Sequence, residues 1–358
     1  MTGTADARRP AAWRPVAAAV GSLNPGAFAF VMATGIVSTA LATADTHAAS
    51  TALLYIGGAG YVVLWAAYVW RLVSWRQRFL HDLAGPNGFA FLTVVAASDV
   101  LGTRLSADHH YQATAVLLAI GVAGWLILGY GVPMLRITTE QAVSLGQVNG
   151  TWFLWVVGTE SVAVAAASLA PHAFGRALGA FASVCWAVGL IQYLLTAALA
   201  LARLLLERIT PHELIPPYWI FMGAGAISVL AGARILQLPA GAILLPHGFA
   251  LGLSLLLWSF CTWLIPLLLC LGVWRHLLRR VSLRYETGLW AMVFPLGMYA
   301  VATRELGHAS GRHWLVTASG AEAGVAAVVW LAVFLGMLVA LVRAARQFRA
   351  APTGADGR

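Results

Sequence analysis

Ten apolar stretches divide this chain, eight of them about 17–25 residues and the sixth and eighth longer, enough to cross the roughly 30 Å hydrocarbon core as a helix. The expected spans are 24–44, 51–73, 87–103, 112–134, 150–170, 177–205, 217–238, 243–273, 287–306 and 320–342. Turn signals fall between them, among them Gly85-Pro86-Asn87, Pro171-His172, Pro216-Pro217 and Pro239-Ala240-Gly241. A chain so patterned must satisfy its backbone hydrogen bonds inside lipid, and helices do this.

Charge inside the spans alternates. Asp99 lies in the third span, Glu160 in the fifth, Arg234 in the seventh and Arg304 at the end of the ninth. The even spans carry no charge in their interiors, and Glu322 is expected at the start of the tenth. Charge in lipid is costly, so such residues normally face a bundle interior or a water-filled cavity. The alternation predicts five hairpins, with odd helices inside around a polar path and even helices outside. Small polar residues follow the same parity: Thr34, Ser38, Thr39, Thr93, Ser98, Thr151, Thr159, Ser161, Ser228 and Thr303. Taken singly, each also reads as a close-packing residue between helices. A repeat of about 65–70 residues, one inner plus one outer helix, follows from the topology.

Apolar residues form 60% of the chain and charged residues 10%, against about 25% charged in soluble domains. The net charge of +9 comes with no lysine, and its distribution argues against a nucleic-acid partner. With the N-terminus inside, 17 of the 22 arginines fall on inner loops and tails. The other five are Arg104, Arg176, Arg234, Arg304 and Arg312. This positive-inside bias predicts an inner-membrane protein with both termini cytoplasmic. The first 20 residues lack the apolar core of a signal peptide. The expected organisation is a tail over 1–23, a transport domain over 24–342 and a tail over 343–358. Cys185, Cys261 and Cys270 show no paired spacing, the histidines do not cluster, and no phosphate loop or H-E-x-x-H motif occurs. No metal, cofactor or enzymatic activity is expected.

Five stretches carry a resemblance. They are Asn24–Leu41 (NPGAFAFVMATGIVSTAL), Asn149–Val164 (NGTWFLWVVGTESVAV), Pro216–Gly232 (PPYWIFMGAGAISVLAG), Trp263–His276 (WLIPLLLCLGVWRH) and Gly288–Thr303 (GLWAMVFPLGMYAVAT). In order and spacing they resemble the tellurite-resistance/dicarboxylate transporter (TDT) family, which includes plant slow-type anion channels and fungal malate permeases. The transporter-like branch is the nearer. The resemblance implies an all-α membrane protein of ten helices in five hairpins, odd helices lining a pore in each protomer of a homotrimer. It implies passage of small anions, from chloride and nitrate to sulphite, malate or another C4-dicarboxylate. It also implies that a phenylalanine before a proline plugs the pore, which here is Phe294 before Pro295. An aromatic ring beside a proline bend can block a narrow passage by sterics and dewetting.

The chain departs from the channel branch in its charge. Glu160 near the midplane reads either as a proton-coupling group or as a structural bond between inner helices. Arg234 reads as an anion ligand at the outer mouth, or as a partner of Asp99 or Glu160. Arg304, beside Glu305, reads as an interfacial residue. The expected path-lining or anion-contacting set is Thr34, Ser38, Asp99, Thr151, Ser161, Ser228, Arg234, Thr303 and Arg304. Two transport readings follow: a Phe-gated anion pore, and a proton-coupled dicarboxylate or sulphite carrier using Glu160.

Overall fold

Residues 14–139 and 144–350 are described by the computed structural model. Of the expected tails, residues 1–13 and 351–358 lie outside the described residues. The described residues form helices and short turns, with no strand among them. In chain order the helices are α1 (Arg14–Gly21), α2 (Ala29–Thr43), α3 (His47–Ser74), α4 (Arg76–Ala84), α5 (Thr93–Ala107) and α6 (Tyr111–Thr138). Then come α7 (Phe153–Leu169), α8 (Gly175–Leu206), α9 (Ile220–Leu236), α10 (His247–Val273), α11 (Trp290–Ser310) and α12 (His313–Ala350).

Eight helical segments among the described residues are long and apolar enough to cross a membrane. The other two expected spans correspond to α2 and α11. Helix α2 has 15 residues because residues 25–28 form a turn instead. At 1.5 Å per residue it reaches only about 22 Å, short of the hydrocarbon core. Helix α11 has 21 residues, but its last turns carry Arg304, Glu305 and His308. Helix α12 starts at His313, so Glu322 lies nearly three turns inside it and not at its start. The same helix runs on to Ala350, past the expected tail boundary at 343.

Burial separates two classes of helix. In the segments containing α5, α7 and α9, between 83% and 94% of the most apolar window is buried. In α3, α6, α8, α10 and α12 it is between 17% and 44%. Most residues of α2 and α11 are buried as well. The five buried helices form a closed ring, α2–α5–α7–α9–α11 and back to α2. Each exposed helix packs against its own hairpin partner and against the next helix of the ring. Its outward face is apolar, as at Val62, Ile127, Leu194, Leu256 and Val328.

Lipid supplies little hydrophobic drive between helices, so close approach and polar bonds must hold them. Both recur around the ring. A small residue and an aromatic one turn later stand on every outer helix: Gly57/Tyr61, Gly121/Trp125, Gly189/Tyr193, Ser254/Trp258 and Ala326/Trp330. At Gly57, Gly121 and Gly189 the missing side chain leaves room for a side chain of an inner helix (Thr34 and Leu101, Asp99, and Glu160), and the aromatic donates or shares a hydrogen bond with the next inner helix. Tyr61 meets Ser98 (2.7 Å), Trp125 meets Thr159 (2.9 Å), and Tyr193 meets the Phe221 carbonyl (3.3 Å). Trp258 meets Thr303 (2.9 Å) and Trp330 meets Thr34 (3.0 Å), which closes the circle.

Polar anchors fix the ends. Arg104 is nearly buried, donating to Ser38 and Ser50 and pairing with Asp108 at 2.6 Å. Arg71 pairs with Asp82 of α4. Between α8 and α9, Arg203 meets Glu207 and Glu213, each at 3.3 Å. The backbone N–H and hydroxyl of Thr210 both donate to Glu213 and hold its carboxyl below the ordinary range.

Candidate functional site

The ring encloses one axis. At the end where its helices begin, a vestibule of about 200 Å³ is lined from all five. Every one of these helices starts through a tight turn. The α5, α7, α9 and α11 turns are 3₁₀ segments at Gly88–Leu92, Gly150–Trp152, Pro216–Trp219 and Thr287–Leu289. Asn24 accepts from the Gly26 N–H (2.7 Å), and Asn149 accepts from the Thr151 N–H (2.9 Å). Otherwise these starts have no side-chain cap. Free N–H groups and aligned peptide dipoles give a helix N-terminus partial positive charge. Five such ends meet at one cavity, whose single formally charged wall residue is Glu286. Backbone N–H groups at helix starts are chemically suited to an anion, and at this cavity they face the carboxylate of Glu286.

Each inner helix presents the same register to the axis. Positions spaced by three, seven and three residues line the vestibule and then a small void of about 10 Å³ further along. On α2 and its leading turn these are Gly26, Ala29, Ile36 and Thr39; on α5 and its turn, Ala90, Thr93, Val100 and Thr103. On α7 they are Thr151, Leu154, Ser161 and Val164; on α9, Pro217, Ile220, Ile227 and Leu230. On α11 they are Gly288, Ala291, Met298 and Val301. Such spacing marks one face of a helix.

One turn beyond Ala29, Thr93, Leu154, Ile220 and Ala291 the same register falls at Met32, Ala96, Val157, Gly223 and Phe294, of which Met32 also lines the vestibule. All five are buried. Three are small or β-branched; Met32 and Phe294 supply the bulk. Pro295 packs on Gly223, where a methyl group would stand 2.7 Å from the proline ring. Sequence reasoning singles out Phe294 and misses Met32. The register that identifies Met32 is visible only once the five helices are aligned.

Charged and polar positions divide between the axis and the helix interfaces. Thr151 lines the vestibule, while Ser161, Asp99 and Arg234 line the small void. Asp99 Oδ2 accepts from Ser161 (2.9 Å), and Oδ1 lies against Gly121 of α6 with no hydrogen-bond partner among the described residues. Arg234 pairs with Glu305 (3.0 Å), which also accepts from Gln237 (2.9 Å). That pairing replaces the expected partners Asp99 and Glu160, because α9 and α11 are ring neighbours and end together.

Glu160 stands off the axis. It is fully buried against Gly189 of α8, beside Ser228, and neither carboxylate oxygen has a hydrogen-bond partner among the described residues. The hydroxyls of Thr34 and Thr303 accept from outer-helix tryptophans, away from the axis. Ser38 bonds Ser50 (2.7 Å) and Ser228 donates to the Ala224 carbonyl (2.9 Å). Arg304 is half-buried near the far end of α11. Much of the expected polar lining is therefore used between helices. No cluster of His, Cys, Asp and Glu suited to a metal occurs among the described residues.

Comparison with known proteins agrees with this architecture. Residues 22–338 match the family model described as voltage-dependent anion channel, SLAC1. An uncharacterized membrane protein of Mycobacterium tuberculosis is 44% identical over 147 residues, 41% of this chain and 75% of that protein. Two uncharacterized transporters of Methanocaldococcus jannaschii are each 24% identical, over 78% and 77% of this chain and 82% of their own lengths. With a match across most of its length, this integral membrane protein belongs to the SLAC1 voltage-dependent anion channel family, a family of transporters and channels.

Proposed function

We propose that the chain passes small anions along the axis of its inner ring, with Phe294 as the plug and Met32 beside it on the neighbouring helix. The observation that carries this reading is the shared register: all five inner helices turn the same face to one axis, wide at the helix starts and filled at the Phe294 layer. Because the ring closes within one chain, each protomer of the homotrimer that the resemblance implies has its own path. The arginines of α4 and of the α8–α9 and α10–α11 connections stand at the vestibule end, which supports a cytoplasmic vestibule in an inner membrane. Chloride, nitrate, sulphite and malate are the candidate anions.

A second reading is favoured by Glu160. A buried carboxylate with no hydrogen-bond partner among the described residues, inside a membrane bundle, suits a proton carrier, coupled to malate, another C4-dicarboxylate or sulphite. The test is flux through purified protein in liposomes, for each anion and at two pH values. Passive flux of several anions, with an unchanged pH profile in folded Glu160→Gln, supports the pore. Uptake driven by a pH gradient and abolished in Glu160→Gln supports the carrier. A protein passing no anion overturns both.

A further inference from the structure

A second groove, of about 310 Å³, opens beside the vestibule where α9, α10 and α11 meet. Its walls are apolar, and Leu269, Leu277 and Leu283 are more than half exposed at its rim. Arg275 and His276 stand among the groove's lining residues. Ile215 and Pro216 line both the groove and the vestibule, so a single layer of residues separates the two. An ion pair bridges this layer. Arg275 Nη2, on the groove side, lies 4.0 Å from Glu286 Oε1, on the vestibule side. At that distance the pair is loose, and the buried Arg275 Nε has no hydrogen-bond partner among the described residues.

We propose that this groove binds an anionic phospholipid, whose phosphate competes with Glu286 for Arg275 and so sets the charge at the inner mouth. The proposal rests on the vestibule being an anion entrance. Charge complementarity selects the headgroup: a planar guanidinium with a spare donor suits a phosphate. The leucine walls select a lipid over free phosphate, since they offer an acyl chain a seat on the lipid-facing surface. With Arg275 drawn to a phosphate, Glu286 stands uncompensated, and a negative charge at the mouth repels entering anions. One unit charge at such range changes entry by about two- to tenfold.

The test compares chloride flux of the full chain in neutral phosphatidylcholine liposomes and in liposomes containing phosphatidylglycerol. Wild-type flux should fall two- to tenfold with the anionic lipid. Glu286→Gln should be high in both lipids, and Arg275→Gln low in both. Native mass spectrometry should show phosphatidylglycerol retained by the wild type and by Arg275→Lys, and lost from Arg275→Gln. A full fall persisting in Glu286→Gln would assign the effect to membrane surface charge and overturn the proposal, as would unchanged lipid retention in Arg275→Gln. The same fall produced by inorganic phosphate in neutral liposomes would overturn the choice of a lipid. If the wild type passes no anion in either lipid, the pore reading fails, and retention at Arg275 alone decides the lipid site.

Discussion

At the residue scale, the inner ring is shaped as much by what is missing as by what is present. Gly150 opens the turn before α7, and the backbone of Pro217 and Tyr218 occupies the space where a side chain would go. Two of the five helix starts thus touch backbone to backbone at the vestibule. Gly150→Ala should cost about 1–3 kcal/mol through forced displacement. Gly58→Ala, where nothing stands within 4 Å of the added methyl, should cost little. Thermal unfolding in detergent measures the contrast, and equal melting temperatures would contradict it. The burial of Asp99 and Glu160 was legible from sequence, because charge inside an apolar span has few places to go. Their direction was not. An inner helix meets protein on every side, so no amphipathic stripe marks the face toward the axis. That is why Thr34, Ser38, Ser228 and Thr303 read as lining residues although their hydroxyls serve helix contacts.

At the element scale, the odd-even alternation anticipated which helices are buried and how hairpins pair. It gave no sign of the aromatic straps that close the ring, because Tyr and Trp on outer helices also read as lipid-interface residues. Helix ends were less legible, since tight turns, three of them led by proline, shorten the inner helices while outer helices continue beyond their apolar cores. The straps make a measurable claim. Trp330→Phe keeps the ring but removes the donor to Thr34, the bond that joins α12 to α2. Loss of one such bond should cost about 0.6–1.5 kcal/mol. Adding Thr34→Val to the Phe mutant should then cost little more. Equilibrium unfolding of the two singles and the double mutant checks this, and fully additive losses would show that the pair does not interact.

At the scale of the whole molecule, one chain makes five hairpins, the hairpins make one ring, and the ring makes one axis. The starts of the five inner helices converge at one cavity, and Phe294 and Met32 are fully buried close to it. The most direct measurement is chloride and nitrate flux through liposomes holding pure wild-type, Phe294→Ala or Met32→Ala protein, each verified as folded. A several-fold rise for Phe294→Ala and a smaller rise for Met32→Ala are expected, because each substitution removes bulk from a fully buried position of the inner ring. A folded Phe294→Ala protein whose flux equals or falls below wild type would contradict a gated axial path.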